Sequence, residues 1–288
     1  MSAPVTIVIP TRNEAINLER CLRSVAWASE KFVVDSNSTD ATAHIAENLG
    51  ARVVQFDYQG GWPKKKNWAL ANLPFRNEWV LLLDADEVLC NGGSEEIDRL
   101  LRSDSDIAGY WINRRFMFLG KWLRHAYYPN WNLRLFKHKL GRFERLIEGE
   151  TNSGDVEIHE HLVVQGRTAR LKTELEHYAF PSVESFIEKH NRYSNWESQL
   201  ERELARGTMG NLLQDRRVRF RRRLKRISKK LPMRPFLRFF YIFFVQRGFL
   251  DGVEGYYFAQ LHACYEWMCV IKTFERARNE HRRLGKLD

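Results

Sequence analysis

The sequence predicts an α/β fold with a mostly parallel sheet flanked by helices, extended at its C-terminal end by a basic helical region. Three observations carry this reading. Short apolar runs alternate with segments of helical spacing over about the first 90 residues. Three of the four runs end in clusters of polar residues. A dense run of Lys and Arg begins only after Asp215.

Taken in order, Val5–Ile9 is a continuous apolar strand. Glu14–Ala26 carries Ile16, Leu18, Leu22 and Val25 at helical spacing, with Asn13 as the expected N-cap. Phe32–Val34 is a second strand, ending at Asp35. Asp40 is the expected cap of a helix through Asn48, and Gly50 stops it. Arg52–Phe56 is a third strand. The turn Gly60-Gly61-Trp62-Pro63 precedes a helix over Lys64–Leu73. Trp79–Leu83 is a fourth strand, short and apolar as a buried parallel strand is. A β-α-β-α-β-α-β order of this kind makes a parallel sheet covered on both faces.

The polar strand ends locate a candidate site. The first strand runs into Pro10-Thr11-Arg12-Asn13-Glu14, the second into Asp35-Ser36-Asn37-Ser38-Thr39-Asp40, and the fourth into Asp84-Ala85-Asp86. Ligands of open α/β sheets bind outside the carboxyl ends of the strands, so these ends together read as a nucleotide crevice. Two carboxylates one residue apart supply hard oxygen ligands that hold Mg2+ or Mn2+ against a diphosphate. Taken alone, the pair also fits a solvated strand-to-loop turn. No G-x-G-x-x-G follows the first strand and no G-x-x-x-x-G-K-[ST] occurs, which disfavours a dinucleotide fold and a P-loop NTPase. Lys64, Lys65 and Lys66 crowd a helix N-terminus, where the macrodipole disfavours cations. They imply a nearby anion, or else a solvated basic face.

The bulk properties set limits. A length of 288 residues suits one large domain, or one domain plus an appendage, and 44% hydrophobic residues support a core. Cys21, Cys90, Cys264 and Cys269 are scattered without a C-x-x-C, against a disulfide framework or zinc site and in keeping with a reducing compartment. The first residues enter a strand at once, so no signal peptide is expected. The longest apolar candidate, Phe239–Val245, falls far below the ~20 residues of a spanning helix. A soluble protein or one lying on a membrane surface is expected.

Four segments, V-T-I-V-I-P-T-R-N-E-A, V-V-D-S-N-S-T-D-A-T, K-K-N-W-A-L and L-L-L-D-A-D-E, resemble in order and spacing a family 2 glycosyltransferase with a GT-A fold. More narrowly, N-x-R-L-F, I-H-E-H-L and R-G-F-L-D-G resemble bacterial enzymes that extend the lipopolysaccharide inner core or related surface glycans. The resemblance implies a transferase that uses a UDP-sugar donor, a divalent metal and a hydroxyl of a lipid-linked glycan acceptor. It implies a GT-A domain over residues 1–205, with a nucleotide-binding half at 1–90 and an acceptor-side half at 91–180, followed by the extension at 206–288.

The resemblance also implies roles. Asp86 is the expected direct metal ligand. Asp84 contacts ribose or coordinates through water, with Ala85 between the two acids. Glu87 is either a supporting residue or simply exposed. Pro10, Thr11, Asn13 and Glu14 lie beside base and ribose, and Asp35 accepts from the uracil N3–H, or else is an Asx-turn residue. Lys66, directly before Asn67, matches the family's Lys. Glu160 in Ile158-His159-Glu160-His161-Leu162 is the expected general base, with His159 or His161 as substitutes. Arg134 pairs with phosphate or forms a structural ion pair. His177 is a metal ligand or a core histidine. A single base opposite the leaving group implies in-line displacement with inversion, so an α-linked donor gives a β-linked product. The competing classes are a nucleotidyltransferase, which would want a Gly-rich, Arg-bearing first loop, and a membrane-bound scaffold with a vestigial nucleotide fold.

The formal charge is +10, and residues 216–238 hold twelve Lys or Arg and no acid, so +10 minus +12 leaves about −2 elsewhere. Within Arg216–Leu231, Phe220, Leu224, Ile227 and Leu231 share one helical face among the cations. Pro235–Val245 then brings aromatics suited to the headgroup boundary. A basic amphipathic helix of this kind predicts attachment to an anionic membrane surface, at the cytoplasmic face of the inner membrane. Nucleic acid is not expected as a partner, because no nucleic-acid fold motif accompanies the charge. The bland alternative is a helix packed back on the catalytic domain with a charged outer face.

Overall fold

A computed structural model describes residues 3–60, 63–103, 105–144, 161–206 and 233–284. The four apolar runs all become strands: β1 (Ala3–Thr11), β2 (Ala28–Asp35), β3 (Arg52–Gln55) and β4 (Trp79–Leu82). They pair in parallel in the order β3-β2-β1-β4. Helices α1 (Ala15–Ser24), α2 (Thr42–Asn48) and α3 (Lys65–Asn72) make the crossovers. The strand order turns back at β1, which creates a topological switch point beside β4. Thr11 pairs with Asp35 and Val8 with Leu82, so the three polar ends meet at one edge of the sheet.

The chain continues through β5 (Glu87–Leu89), α4 (Gly93–Leu101), β6 (Ile107–Phe118), β7 (Lys121–Trp122), β8 (Trp131–Lys137), β9 (Gly141–Phe143), β10 (Leu162–Val164) and β11 (Arg167–His177). Here the sheet becomes mixed. β8 lies antiparallel to both β4 and β6, β11 is parallel to β6, and β5 is antiparallel to β11. No crossover helix separates β6 from β8, and a short return of that kind gives antiparallel pairing. β9 and β10 form a separate two-stranded ladder.

β1, β4 and the second half of β2 are buried on both faces, which is why they read as largely apolar runs, whereas β3 at the sheet edge is half-buried or exposed. Val5, Ile7, Ile9, Leu81 and Leu83 pack on one face with Leu18 and Leu22 of α1 and Ile97 of α4. Val8, Val34, Val80 and Leu82 pack on the other with Ala69 of α3 and Leu73 after it.

The capping expectations are corrected by the structure. Asn13 does not cap α1, whose N-cap position is Glu14. Asn13 takes a left-handed conformation, φ 54°, and its Oδ1 accepts from Thr39 N at 2.8 Å. Asp40 lies one residue before the α2 cap position, and it serves both helices. Its Oδ1 accepts from Thr42 N at 3.0 Å and its Oδ2 from Ala15 N at 3.1 Å. Thr42 Oγ1 in turn accepts from Glu14 N at 2.8 Å. The two loops thus satisfy each other's free N–H groups, which local sequence does not reveal. Some desolvation raises the carboxyl of exposed Asp40, but the bonds from Thr42 and Ala15 outweigh it and hold the pKa below the usual range.

Leu123–Tyr127 and the chain from Phe180 onward belong to a second compact unit. It contains α5 (Val183–Arg206), α6 (Arg234–Phe240), a π-helical turn (Tyr241–Val245), a 3-10 turn (Gly248–Asp251) and α7 (Val253–Leu284). The R-G-F-L-D-G segment is its clasp. Asp251 is 2% exposed, and its carboxylate accepts the backbone N–H groups of Arg124, His125 and Ala126 at 2.9, 3.0 and 2.8 Å. Gly255 is required by close approach, since a Cβ there would lie 2.0 Å from the Gly248 carbonyl oxygen. The expected basic helix over Arg216–Leu231 lies outside the described residues. Among the described residues no helix is long and apolar enough to cross a membrane.

Candidate active site

After Leu83, whose N–H still bonds to Val8 O at 3.1 Å, the chain leaves the sheet in a tight turn closed by Glu87 N to Asp84 O at 2.9 Å. Glu87 anchors that turn. Its side chain is fully buried, and Oε2 accepts the Asp84 N–H at 2.9 Å. Its Oε1 accepts from Arg134 of β8 at 2.5 Å and from Arg114 of β6 at 3.2 Å. Arg134 also donates to Asp84 Oδ2, and Lys66 Nζ lies 3.3 Å from Asp84 Oδ1. Burial would raise the Asp84 carboxyl, but Arg134, Lys66 and Arg114 outweigh it and hold it well below the usual carboxylate range.

The alternate residue serves a different partner. Asp86 Oδ1 lies 3.5 Å from Nε2 of His177, the last residue of β11. Both side chains are mostly buried, and the Phe116 ring meets the imidazole edge-on at 5.5 Å. His177 Nδ1 is buried without a hydrogen-bond partner among the described residues. Residues 91 positions apart in sequence are thus brought together, because β5 and β11 pair Glu87 with His177. Among the described residues no three His, Cys, Asp or Glu side chains form a metal cage. A carboxylate and an imidazole nevertheless fit a divalent ion that takes its remaining ligands from substrate phosphates and water.

The first two strand ends form a second cluster. Asp35 is fully buried; Thr11 Oγ1 donates to its Oδ1 at 2.9 Å and Ser38 N to its Oδ2 at 2.8 Å. Lys65 Nζ donates to Thr11 O at 2.5 Å and Lys64 Nζ to Tyr58 OH at 2.5 Å. Lys64 and Lys65 are 2% and 1% exposed, so the solvated basic face is excluded for both. Glu14 Oε2 accepts from Asn17 at 3.0 Å, and Pro10 is half-buried opposite Val34.

Arg134 is 6% exposed, and its guanidinium is engaged by Asp84 and Glu87. Glu87, Arg114 and Lys65 are site residues that sequence reasoning did not select. A Glu directly after the paired acids was a signal for the first; Arg114 and Lys65 depend on strand and helix placement.

Glu160 and His159 lie outside the described residues. His161 is exposed, and its carbonyl accepts from Glu144 N at 3.1 Å at the base of the β9–β10 ladder. That ladder is tied to α3: Asn67 exchanges two hydrogen bonds with the Phe143 backbone, at 3.1 and 3.0 Å. The Phe143 ring lies 5.4 Å from Lys66 Nζ.

Residues 6–156 match the family model described as glycosyl transferase family 2. An uncharacterised glycosyltransferase of Rickettsia bellii is 27% identical over 279 residues, covering 96% of this chain and 87% of that protein. The lipopolysaccharide core biosynthesis glycosyltransferase LpsC of Rhizobium meliloti is 25% identical over 283 residues, covering 95% and 93%. The solved mannosyltransferase PcManGT of Pyrobaculum calidifontis, in complex with GDP-Man and Mn2+, has a TM-score of 0.51 at 15% identity over 95% of this chain and 88% of that one. At that identity the likeness is one of fold.

Proposed function

The chain belongs to glycosyl transferase family 2 and is a glycosyltransferase with the GT-A fold; we propose that it transfers a sugar from a UDP-sugar to a hydroxyl of a lipid-linked glycan, with inversion and with Mg2+ or Mn2+ as cofactor. The observation that carries this reading is the division of labour in Asp84-Ala85-Asp86. Asp84 is tied to Lys66 and Arg134, while Asp86 faces His177 at the switch-point edge. The LpsC likeness, which runs over most of both chains, supports a lipopolysaccharide-core acceptor.

In this proposal Asp86 and His177 hold the divalent ion. When bound, the ion supplies Lewis-acid neutralisation of the departing diphosphate. Lys66 adds a cation on the diphosphate side, and Arg134 and Glu87 hold Asp84 in register as ribose contact. Pro10, Thr11, Asn13, Glu14 and Asp35 line the base side. Glu160 takes the acceptor hydroxyl proton as that oxygen attacks C1, and the C1–O bond electrons leave with UDP. The tie between Asn67 and Phe143, beside Lys66, holds the β9–β10 ladder, whose second strand begins at Leu162, against α3. A lipid-linked acceptor places the reaction at a membrane surface.

The test is turnover of a panel of UDP- and GDP-sugars with Mn2+, Mg2+ or EDTA. PcManGT was captured with GDP-Man, so the panel spans both bases. The proposal expects UDP release that needs the divalent ion and falls by about 10^2–10^3-fold in Asp86→Ala. Turnover confined to GDP-sugars, or undiminished by EDTA, overturns the donor or the metal assignment respectively.

A further inference from the structure

The geometry points to α6 and the π-helical turn after it as a wedge that inserts into the interface of an anionic lipid bilayer. From Arg234 to Val245 the chain is continuously helical, and apolar residues occupy opposite faces of it. Pro235 and Ile242 are buried within the C-terminal unit. Phe236, Leu237, Phe240, Tyr241, Phe244 and Val245 face outward, each 45–59% exposed. Their spacing of one, three, one, three and one keeps them on one stripe. A surface helix in water turns its polar residues outward, and here that pattern is reversed.

The stripe is continuous rather than scattered. The Phe240 and Phe244 rings lie 5.0 Å apart, and Phe236 meets Trp267 of α7 at 5.9 Å. Trp267 is itself 43% exposed, so the patch extends onto α7. Arg238 is the sole charged residue between Pro235 and Val245, and it is half-buried. An apolar patch of this extent marks an interaction surface.

Charge selects the partner. Residues 216–232 carry ten Lys or Arg and no acid, and they lead directly into Met233 at the head of α6. A dense cationic approach followed at once by an uncharged aromatic stripe complements anionic headgroups over an apolar interior. Aromatic rings favour that boundary, and no described helix is long and apolar enough to go further. Attachment through the basic segment alone would be screened by salt; an inserted apolar wedge resists screening. This inference stands on the C-terminal unit and does not depend on the donor chemistry.

The experiment is vesicle flotation of the full chain with phosphatidylcholine alone and with added phosphatidylglycerol, bound at low salt and then challenged at high salt. The wild type is expected to float with the anionic vesicles and to keep a substantial bound fraction after the challenge. Phe240→Glu/Phe244→Glu should lower vesicle partitioning on the order of tenfold or more, with an unchanged helical circular dichroism spectrum and unchanged donor hydrolysis. Phe240→Leu/Phe244→Leu should retain binding. If the Glu pair disturbs the helical spectrum, Phe240→Ser/Phe244→Ser is read in the same assay with the same expectation. Wild-type flotation that high salt abolishes, or equal flotation of the Glu pair, overturns the wedge. So does a Glu pair that only converts a dimer to a monomer in sedimentation, which would assign the stripe to a second copy of the chain.

Discussion

Replacing Glu87 by Gln tests whether a buried carboxylate beneath the paired acids sets the geometry of the site. The Glu87 side chain is fully buried and accepts from Asp84 N at 2.9 Å, Arg134 at 2.5 Å and Arg114 at 3.2 Å. Gln has the same length, but it is neutral and offers one acceptor oxygen where two are used. Whichever way the amide faces, either the Asp84 N–H or the guanidinium groups lose their acceptor. Opposite charges in contact attract by about 5 kcal/mol at an effective dielectric constant near 20, and desolvation of both partners offsets most of that. Removing one member of a buried pair is the unfavourable case, at about 3–5 kcal/mol, because the other charge stays buried. Arg134 retains Asp84, so the loss should fall to about 2–4 kcal/mol. In a chain of this size that corresponds to a melting midpoint lower by roughly 3–7 °C. Urea unfolding followed by tryptophan fluorescence, with a thermal melt beside it, reads both quantities, and donor affinity should fall with the relaxed Asp84. A Glu87→Gln protein within about 0.5 kcal/mol of wild type would refute this reasoning, since that is the range of ordinary surface substitutions.

Further outcomes follow from the same geometry. Glu160→Gln should lower kcat by about 10^2–10^4-fold while leaving donor affinity intact, and unchanged kcat would remove Glu160 as the base. Acidification should destabilise the C-terminal unit through His190 and His262. Burial pushes the His190 imidazole down to about 4, and burial, with Arg238 nearby, holds His262 well below its ordinary value. Both pKa values are lower in the folded than in the unfolded chain, so the unfolded chain binds more protons as pH falls. The stability that the neutral imidazoles preserve is complete above about pH 6.5 and is lost as pH drops toward about 4, on the order of 3 kcal/mol for His190 alone. His190→Phe should flatten the corresponding part of a pH series of urea midpoints, and an unchanged slope would contradict the assignment.

The parallel half of the sheet was legible because its physics is local. Val5–Ile9, Phe32–Val34 and Trp79–Leu83 are apolar apart from Thr6, and each is followed by a cluster of polar residues. Asp84 and Asp86 were legible for the same reason, as acids placed at a strand end. What escaped depends on pairings distant in sequence. Asn13 and Asp40 have ordinary capping chemistry, but each serves the other's loop. The sequence leaves Glu87 open between a supporting residue and an exposed one, and the choice falls only when β6 and β8 bring Arg114 and Arg134 to it. The run of three cations implies a nearby anion or else a solvated face, and the burial of Lys64 and Lys65 follows from the way α3 lies against Thr11 and Tyr58. His177, named from the resemblance as metal ligand or core histidine, is brought beside Asp86 by the pairing of β11 with β5, which the sequence does not display. Long-range pairing of this kind leaves no periodic signal in the strands that carry it.

The most direct measurement is calorimetric titration of UDP into wild type and Asp86→Ala, each with Mn2+ and with EDTA. If Asp86 and His177 hold a divalent ion against the leaving diphosphate, wild-type binding weakens by at least about tenfold in EDTA, and the Asp86→Ala protein binds weakly in both buffers. Wild-type affinity that is indifferent to EDTA, or an Asp86→Ala protein that keeps the full Mn2+ enhancement, would contradict the account at its centre.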